Sequence, residues 1–187
     1  MMARLTSLAF FFAGVLLAPQ VLGRSTPRRW DRENGDHRHI PVSARPAKDV
    51  IARLGLIPNP EKGYFTETFR DPDTINNRSV STAIYYLLEG SAGSSVWHRV
   101  DAVEVWHYYA GAPLTLSLWP GEGEPVRDVT LGPDIFRDQQ PQVPIAKWEW
   151  QSARSHGDWT LVGTTVAPGF VDTGVELAPL GWEPNGE

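Results

Sequence analysis

From Tyr64 to Val166 the chain is a succession of short runs rich in β-branched and aromatic residues, each closed by a turn signal. Tyr64–Phe69, Ser81–Leu88, Val96–Val100, Val103–Tyr109, Leu114–Trp119, Val126–Leu131, Gln142–Ile145, Trp148–Ala153 and Trp159–Val166 follow one another at short intervals. Between them stand Gly90 and Gly93, Gly111-Ala112-Pro113, Pro120-Gly121-Glu122-Gly123, Gly132-Pro133 and His156-Gly157-Asp158. Strands this short and this regularly punctuated predict an all-β sandwich or barrel, not a helical bundle. One stretch reads differently. Ala47–Leu54 places Val50, Ile51 and Leu54 on one helical face, and Gly55 is a natural stop, so a short helix precedes the strands.

The N-terminal part belongs to another compositional class. Residues 1–23 read as an export signal: Arg4 supplies the charge, Leu5–Leu17 the apolar stretch and Gly23 a small residue for cleavage. Leu5–Leu22 approaches the length of an uncleaved anchor, but Pro19 and the polar residues that follow favour cleavage. The chain is therefore expected to be secreted or in a secretory-pathway lumen. Residues 24–46 carry six arginines, several prolines and few aliphatic side chains, the composition of a disordered basic tail. His37 and His39 lie in it and read as solvated charges, not a metal site; Arg28-Arg29 is a candidate processing site. The domain itself is assigned to residues 47–187.

Charge excludes one class of partner. From Ala47 onward there are nineteen carboxylates against ten lysines and arginines. A binder of phosphate backbones needs a basic face, so nucleic acid is not expected. The chain has no cysteine, which removes thiolate catalysis and cysteine-ligated zinc. Asn77-Arg78-Ser79 is a glycosylation sequon in a polar loop, consistent with export.

The segment Ser95–Gly111, SVWHRVDAVEVWHYYAG, concentrates the polar chemistry. His98 and Val100 are two residues apart and share a strand face. A hairpin then returns the chain, and Glu104 on the next strand can face the same interior. Alternation from Glu104 turns Trp106 and Tyr108 inward and His107 outward.

His98, Val100, Glu104 and Gly111 have the spacing of the first cupin motif, with valine in place of the second histidine. Other blocks follow in order: Leu56–Phe65, Ser81–Leu88, Leu131-Gly132, Pro141–Pro144, Trp150–Ala153 and Val162–Phe170. Together they resemble the small single-domain RmlC-like cupins of unknown function, a group labelled predicted sugar-epimerase-like. The resemblance spans Val50 to Leu177. It implies a double-stranded β-helix (jelly roll), a homodimer and a ligand pocket in the barrel mouth. It names no reaction.

A metal cupin needs three imidazoles and a carboxylate. Val100 cannot ligate, and the second-motif region Val143–Gln151 contains no histidine. Glu149 or Gln151 stands at that position, depending on the register of Trp148-Glu149-Trp150-Gln151; both are expected on one strand face. No cofactor is expected, although His98, Glu104 and Glu149 would be the ligands of a divalent metal. The favoured reading is a metal-independent isomerase, epimerase or cyclase acting on a sugar-like or polyketide-like molecule, with His98 and Glu104 as catalytic pair. Trp106, Tyr108, Trp119, Glu149, Trp150 and Gln151 are the candidate ligand contacts; one of Tyr85 or Tyr86 could add a hydroxyl, and Arg70 could reach an anionic ligand. A non-catalytic binding cupin is the alternative, and a metal-dependent oxygenase is less favoured.

Overall fold

The computed structural model describes residues 40–184. The export signal, His37, His39 and most of the basic tail lie outside them. Residues 40–46, expected as the end of that tail, are ordered here. A 3₁₀ turn over Val42–Ala44 presents the Ser43 hydroxyl, which accepts from the Gly111 amide at 3.0 Å. The Trp159 indole donates to the Arg45 carbonyl at 2.8 Å. These bonds tie the segment to the sheet, which composition alone does not reveal. Helix α1 (Ala47–Leu54) follows with the predicted bounds, and Gly55 ends it in the left-handed region at φ 65°.

Among the described residues thirteen strands follow: β1 (Ile57–Pro58), β2 (Tyr64–Arg70), β3 (Thr74–Ile75), β4 (Arg78–Ser79), β5 (Thr82–Glu89), β6 (His98–Val100), β7 (Val103–Gly111), β8 (Leu114–Trp119), β9 (Arg127–Leu131), β10 (Gln142–Ile145), β11 (Trp150–Ser155), β12 (Trp159–Ala167) and β13 (Val175–Leu177). A six-stranded sheet runs β1-β2-β5-β12-β7-β10, and a five-stranded sheet runs β13-β6-β11-β8-β9. Their ladders are antiparallel, as expected of a double-stranded β-helix. β3 and β4 form a separate hairpin. Its tip holds Asn76 and Asn77 at φ 53° and 62°, the positive values a two-residue turn requires. The sequon asparagine is thus an exposed turn residue.

The inner faces of the two sheets meet in one apolar core. Leu114, Leu116 and Leu118 of β8 alternate inward against Leu88, Trp106, Val143, Ile145 and Val162. Helix α1 covers part of the outer face of the six-stranded sheet: Val50 packs with Leu87, Trp159 and Leu161. On the outer face of the other sheet, Trp97, Trp119 and Trp150 pack around Ala178, and Trp182 lies on them at ring-centroid distances of 6.2, 5.9 and 4.7 Å. Arg99 lies over the Trp150 ring at 4.6 Å and pairs with Glu176 at 2.7 Å. At one end of the barrel the core gives way to a cavity of about 310 Å³.

Candidate functional site in the barrel

Alternation delivers most of the cavity wall. β5 contributes Thr82, Ile84 and Tyr86, β6 His98 and Val100, β7 Glu104 and Trp106, and β12 Thr164 and Val166. β2 departs from simple alternation. Its pairing with β5 slips between Glu67 and Phe69, leaving Thr68 as an extra residue. The inward set is therefore Phe65, Glu67 and Arg70, while Phe69 is exposed. The bulge is what brings Arg70 to the cavity. The segment after β12 adds Phe170 and Asp172. It is clamped from outside: Arg78 grips Asp101 with two bonds of 2.7 and 2.8 Å and also donates to the Gly169 carbonyl.

His98 is buried and its ring is oriented by the backbone. Nδ1 lies 3.0 Å from the Val96 carbonyl, which can only accept, so Nδ1 carries a hydrogen. Nε2 faces the Glu61 carboxylate at 3.5 Å. Glu61 comes from the turn between β1 and β2, where the chain is shaped for the purpose. The Glu61 amide donates to Asn59 Oδ1 at 2.8 Å, and the Val96 amide donates to the Glu61 carbonyl at 3.0 Å. Gly63 closes this turn at φ 70°, where a side chain would collide with the Leu87 carbonyl. Burial pushes the Glu61 carboxyl above its ordinary value; His98 opposes the shift and Glu104 adds to it.

Glu104 projects from the opposite sheet and is buried. Its Oε2 accepts from the Gln151 amide at 2.7 Å. The carboxamide orientation is set by a third residue: Trp106 Nε1 can only donate, and it does so to Gln151 Oε1 at 3.0 Å. Gln151, paired opposite His98 on adjacent strands, thus props the glutamate from behind. Tyr86 sits edge-on to Trp106 with ring centroids 5.7 Å apart, and its hydroxyl donates to the Lys62 carbonyl at 3.1 Å. Burial, reinforced by Glu61, raises the Tyr86 phenol further above its ordinary value, so it stays protonated.

The structure divides the candidates read from the sequence. His98, Glu104 and Trp106 line the cavity, with Gln151 bonded behind them. Tyr108 turns to the inner side but packs against the main core, and its hydroxyl donates to the Gly111 carbonyl at 2.6 Å. Trp119 and Trp150 stand away from the cavity, in the outer tryptophan cluster. Because Gln151 points in, its neighbour Trp150 points out, and Trp119 follows the inward Leu118 in the same way. Glu149 does not share a face with Gln151 as expected. It precedes β11, after Trp148 at φ 63°, so strand alternation does not reach it. Its carboxylate pairs with Arg127 at 2.9 Å and accepts from the Ala146 amide at 3.0 Å. His107 points outward, near Thr165 and Gln142.

Glu61 is the residue that sequence reading passed over. It stands within the Leu56–Phe65 block but in a turn, where periodicity assigns no face. Val100, Gln151 and the displaced Glu149 occupy the positions in question. Among the described residues, no three His, Asp or Glu side chains converge as ligands.

Comparison with known proteins agrees with the fold. A protein of Shewanella oneidensis of known structure is 31% identical over 72% of this chain and 85% of that chain, with a TM-score of 0.68. A hypothetical protein from Leishmania major is 27% identical over 71% of this chain and 86% of its own, with a TM-score of 0.66. An oxalate decarboxylase structure, 8% identical with a TM-score of 0.50, covers 65% of this chain and 29% of that one and shares the fold alone. No curated protein matches. The family model described as "Cupin superfamily (DUF985)" matches residues 48–178, a span holding every cavity residue described above. The chain belongs to that family of small cupins.

Proposed function

We propose that the chain binds a small organic molecule in the barrel and moves a proton on it without a metal, in an isomerisation, epimerisation or cyclisation. The observation that carries this reading is the pairing of the buried His98 Nε2 with the half-buried Glu61 Oε2, with Nδ1 already committed to the Val96 carbonyl. With Nδ1 protonated, a neutral imidazole keeps its lone pair on Nε2, the atom that faces both Glu61 and the cavity. A carboxyl whose hold on its proton is strengthened by burial lies beside that base. The two groups are placed for a proton to pass between them, as general acid–base transfer requires. Glu104, held by Gln151, faces His98 from the other sheet. A donor on one side of a ligand and an acceptor on the other is the arrangement a stereochemical or positional proton shift needs. The rings of Phe65, Tyr86, Trp106 and Phe170 exclude water from such a reaction.

Incubating the protein with candidate ligands in D₂O tests this. Wild type is expected to exchange a carbon-bound hydrogen, and His98→Ala and Glu61→Gln to abolish exchange while retaining binding. Binding without exchange for every candidate would favour a non-catalytic cupin. Stoichiometric iron, manganese or nickel in the purified protein would overturn the metal-free mechanism. Export is part of the same proposal, and the mass of the mature chain recovered outside the producing cell tests cleavage after Gly23.

A further inference from the structure

We infer that the molecule taken into this cavity carries a positive charge on an organic ammonium group; this rests on the proposal that the barrel binds a small organic ligand. The wall is strongly asymmetric in charge. Beside the His98–Glu61 pair, Glu67, Glu104 and Asp172 line it, against the single guanidinium of Arg70. That guanidinium is already engaged. Nε and Nη2 bond both oxygens of Glu67 at 2.9 and 2.6 Å, and Nη1 donates to the Phe170 carbonyl at 3.2 Å. An anionic ligand would meet carboxylates and find no free fork to receive it.

The deeper wall makes the case more specific. Glu104 is 7% exposed, and its Oε2 is taken by Gln151. No described residue bonds Oε1, yet no fully buried side-chain oxygen lacks a partner, so Oε1 reaches the cavity. A carboxylate oxygen with nine-tenths of its side chain buried faces a space that a ligand can fill. Around it, Tyr86 and Trp106 have spent their only polar hydrogens on Lys62 and Gln151. With Phe65 and Phe170 they offer ring surface and no hydrogen-bond donor. An alkylammonium needs aromatic surface beside a carboxylate, and Tyr86, Trp106, Phe65 and Phe170 around Glu104 supply both.

The test uses three probes of one shape: choline, its neutral isostere with a tert-butyl group in place of trimethylammonium, and tert-butylacetate as the anion. Side-chain NMR signals of His98 and Trp106 in the full chain report occupancy. Choline is expected to bind about tenfold more tightly than the neutral isostere, with affinity falling as salt rises, and tert-butylacetate to give no shift. Glu104→Gln should remove the preference for choline. Glu67→Gln removes a wall carboxylate and releases the Arg70 guanidinium, so it should weaken choline, leave the neutral isostere unchanged and let the anion begin to bind. Equal or tighter binding of the neutral probe, or any preference for the anion, overturns the charge assignment and leaves the small-ligand reading standing. If none of the three perturbs His98 or Trp106, both fall.

Discussion

The five-stranded sheet presents aromatic and polar side chains on both faces, and the two faces do opposite things with them. At β6 and the residue before it, Trp97 and Arg99 point out while His98 and Val100 point in; along β11, Trp150 points out and Gln151 in. On the outer face the indoles contact one another, with Trp182 over them as close as 4.7 Å to Trp150, and the space is filled. On the inner face, beside Phe65, Tyr86, Trp106 and Phe170, about 310 Å³ stays open and three buried or half-buried ionisable groups face it. A dense aromatic composition thus says nothing by itself about a ligand. Rings that satisfy one another make a core, and rings whose neighbours leave room make a site.

The largest expected effect breaks the filled face. Trp150→Ala should destabilise the domain by about 3–5 kcal/mol, read from urea unfolding, because the indoles of Trp119 and Trp182 lose their neighbour. Ligand occupancy of the cavity at native conditions should not change. If the loss is under about 1 kcal/mol, the cluster is loosely packed and the contrast fails. A smaller paired effect compares added volume on each face. Ala178→Leu, among Trp97, Trp119 and Trp150, should cost about 1–3 kcal/mol by overpacking. Ile84→Phe grows into open space and should cost less than about 1 kcal/mol while blocking the cavity to small ligands. Equal costs at the two sites would mean that the inner space is not available.

The smallest effect is a pH signature of the inner face alone. Glu61 is raised by burial above its ordinary 4.5, so the folded state binds its proton more tightly than the unfolded state. Stability should then fall as pH rises from 4.5 through the folded value, because ν_U is smaller than ν_N over that window. Below 4.5 both states are protonated and the contribution is constant. Thermal melts of wild type and Glu61→Gln should converge in acid and differ progressively as pH rises through the window. Parallel curves would show that Glu61 is not desolvated in the fold.

Much of this arrangement was legible in the chain, and the failures share a cause. Helix α1 with its glycine stop, and the bounds of β8 and β10, follow from local pattern. The inward set of His98, Val100, Glu104 and Trp106 follows from period-2 alternation within uninterrupted strands. Alternation misleads wherever the chain is not regular. Glu149 lies before its strand, Phe69 lies beyond a bulge that leaves Arg70 at the wall as expected, and Trp119 and Trp150 have no phase reference from their own strands. Glu61, Phe170 and Asp172 reach the cavity from turns and irregular chain, held by bonds to partners distant in sequence such as Val96 with Glu61 and Arg78 with Gly169. Family resemblance located the barrel, but it could not supply these residue-level placements.

The place of β12 in the six-stranded sheet bears on how the protein is made. Residues Trp159–Ala167 lie between β5 and β7, so before they exist the sheet is two separate pieces, β1-β2-β5 and β7-β10. A chain emerging vectorially from a ribosome must carry both pieces with unpaired inner edges until nearly the whole domain has been synthesised. Those edges include Thr82–Glu89 and Val103–Gly111, among the most apolar strands of the molecule. Open apolar edges template pairing with other chains, and closure by a late strand of high sequence separation is slow. The same insertion that seals the barrel around its cavity therefore makes the nascent chain dependent on protection until β12 arrives.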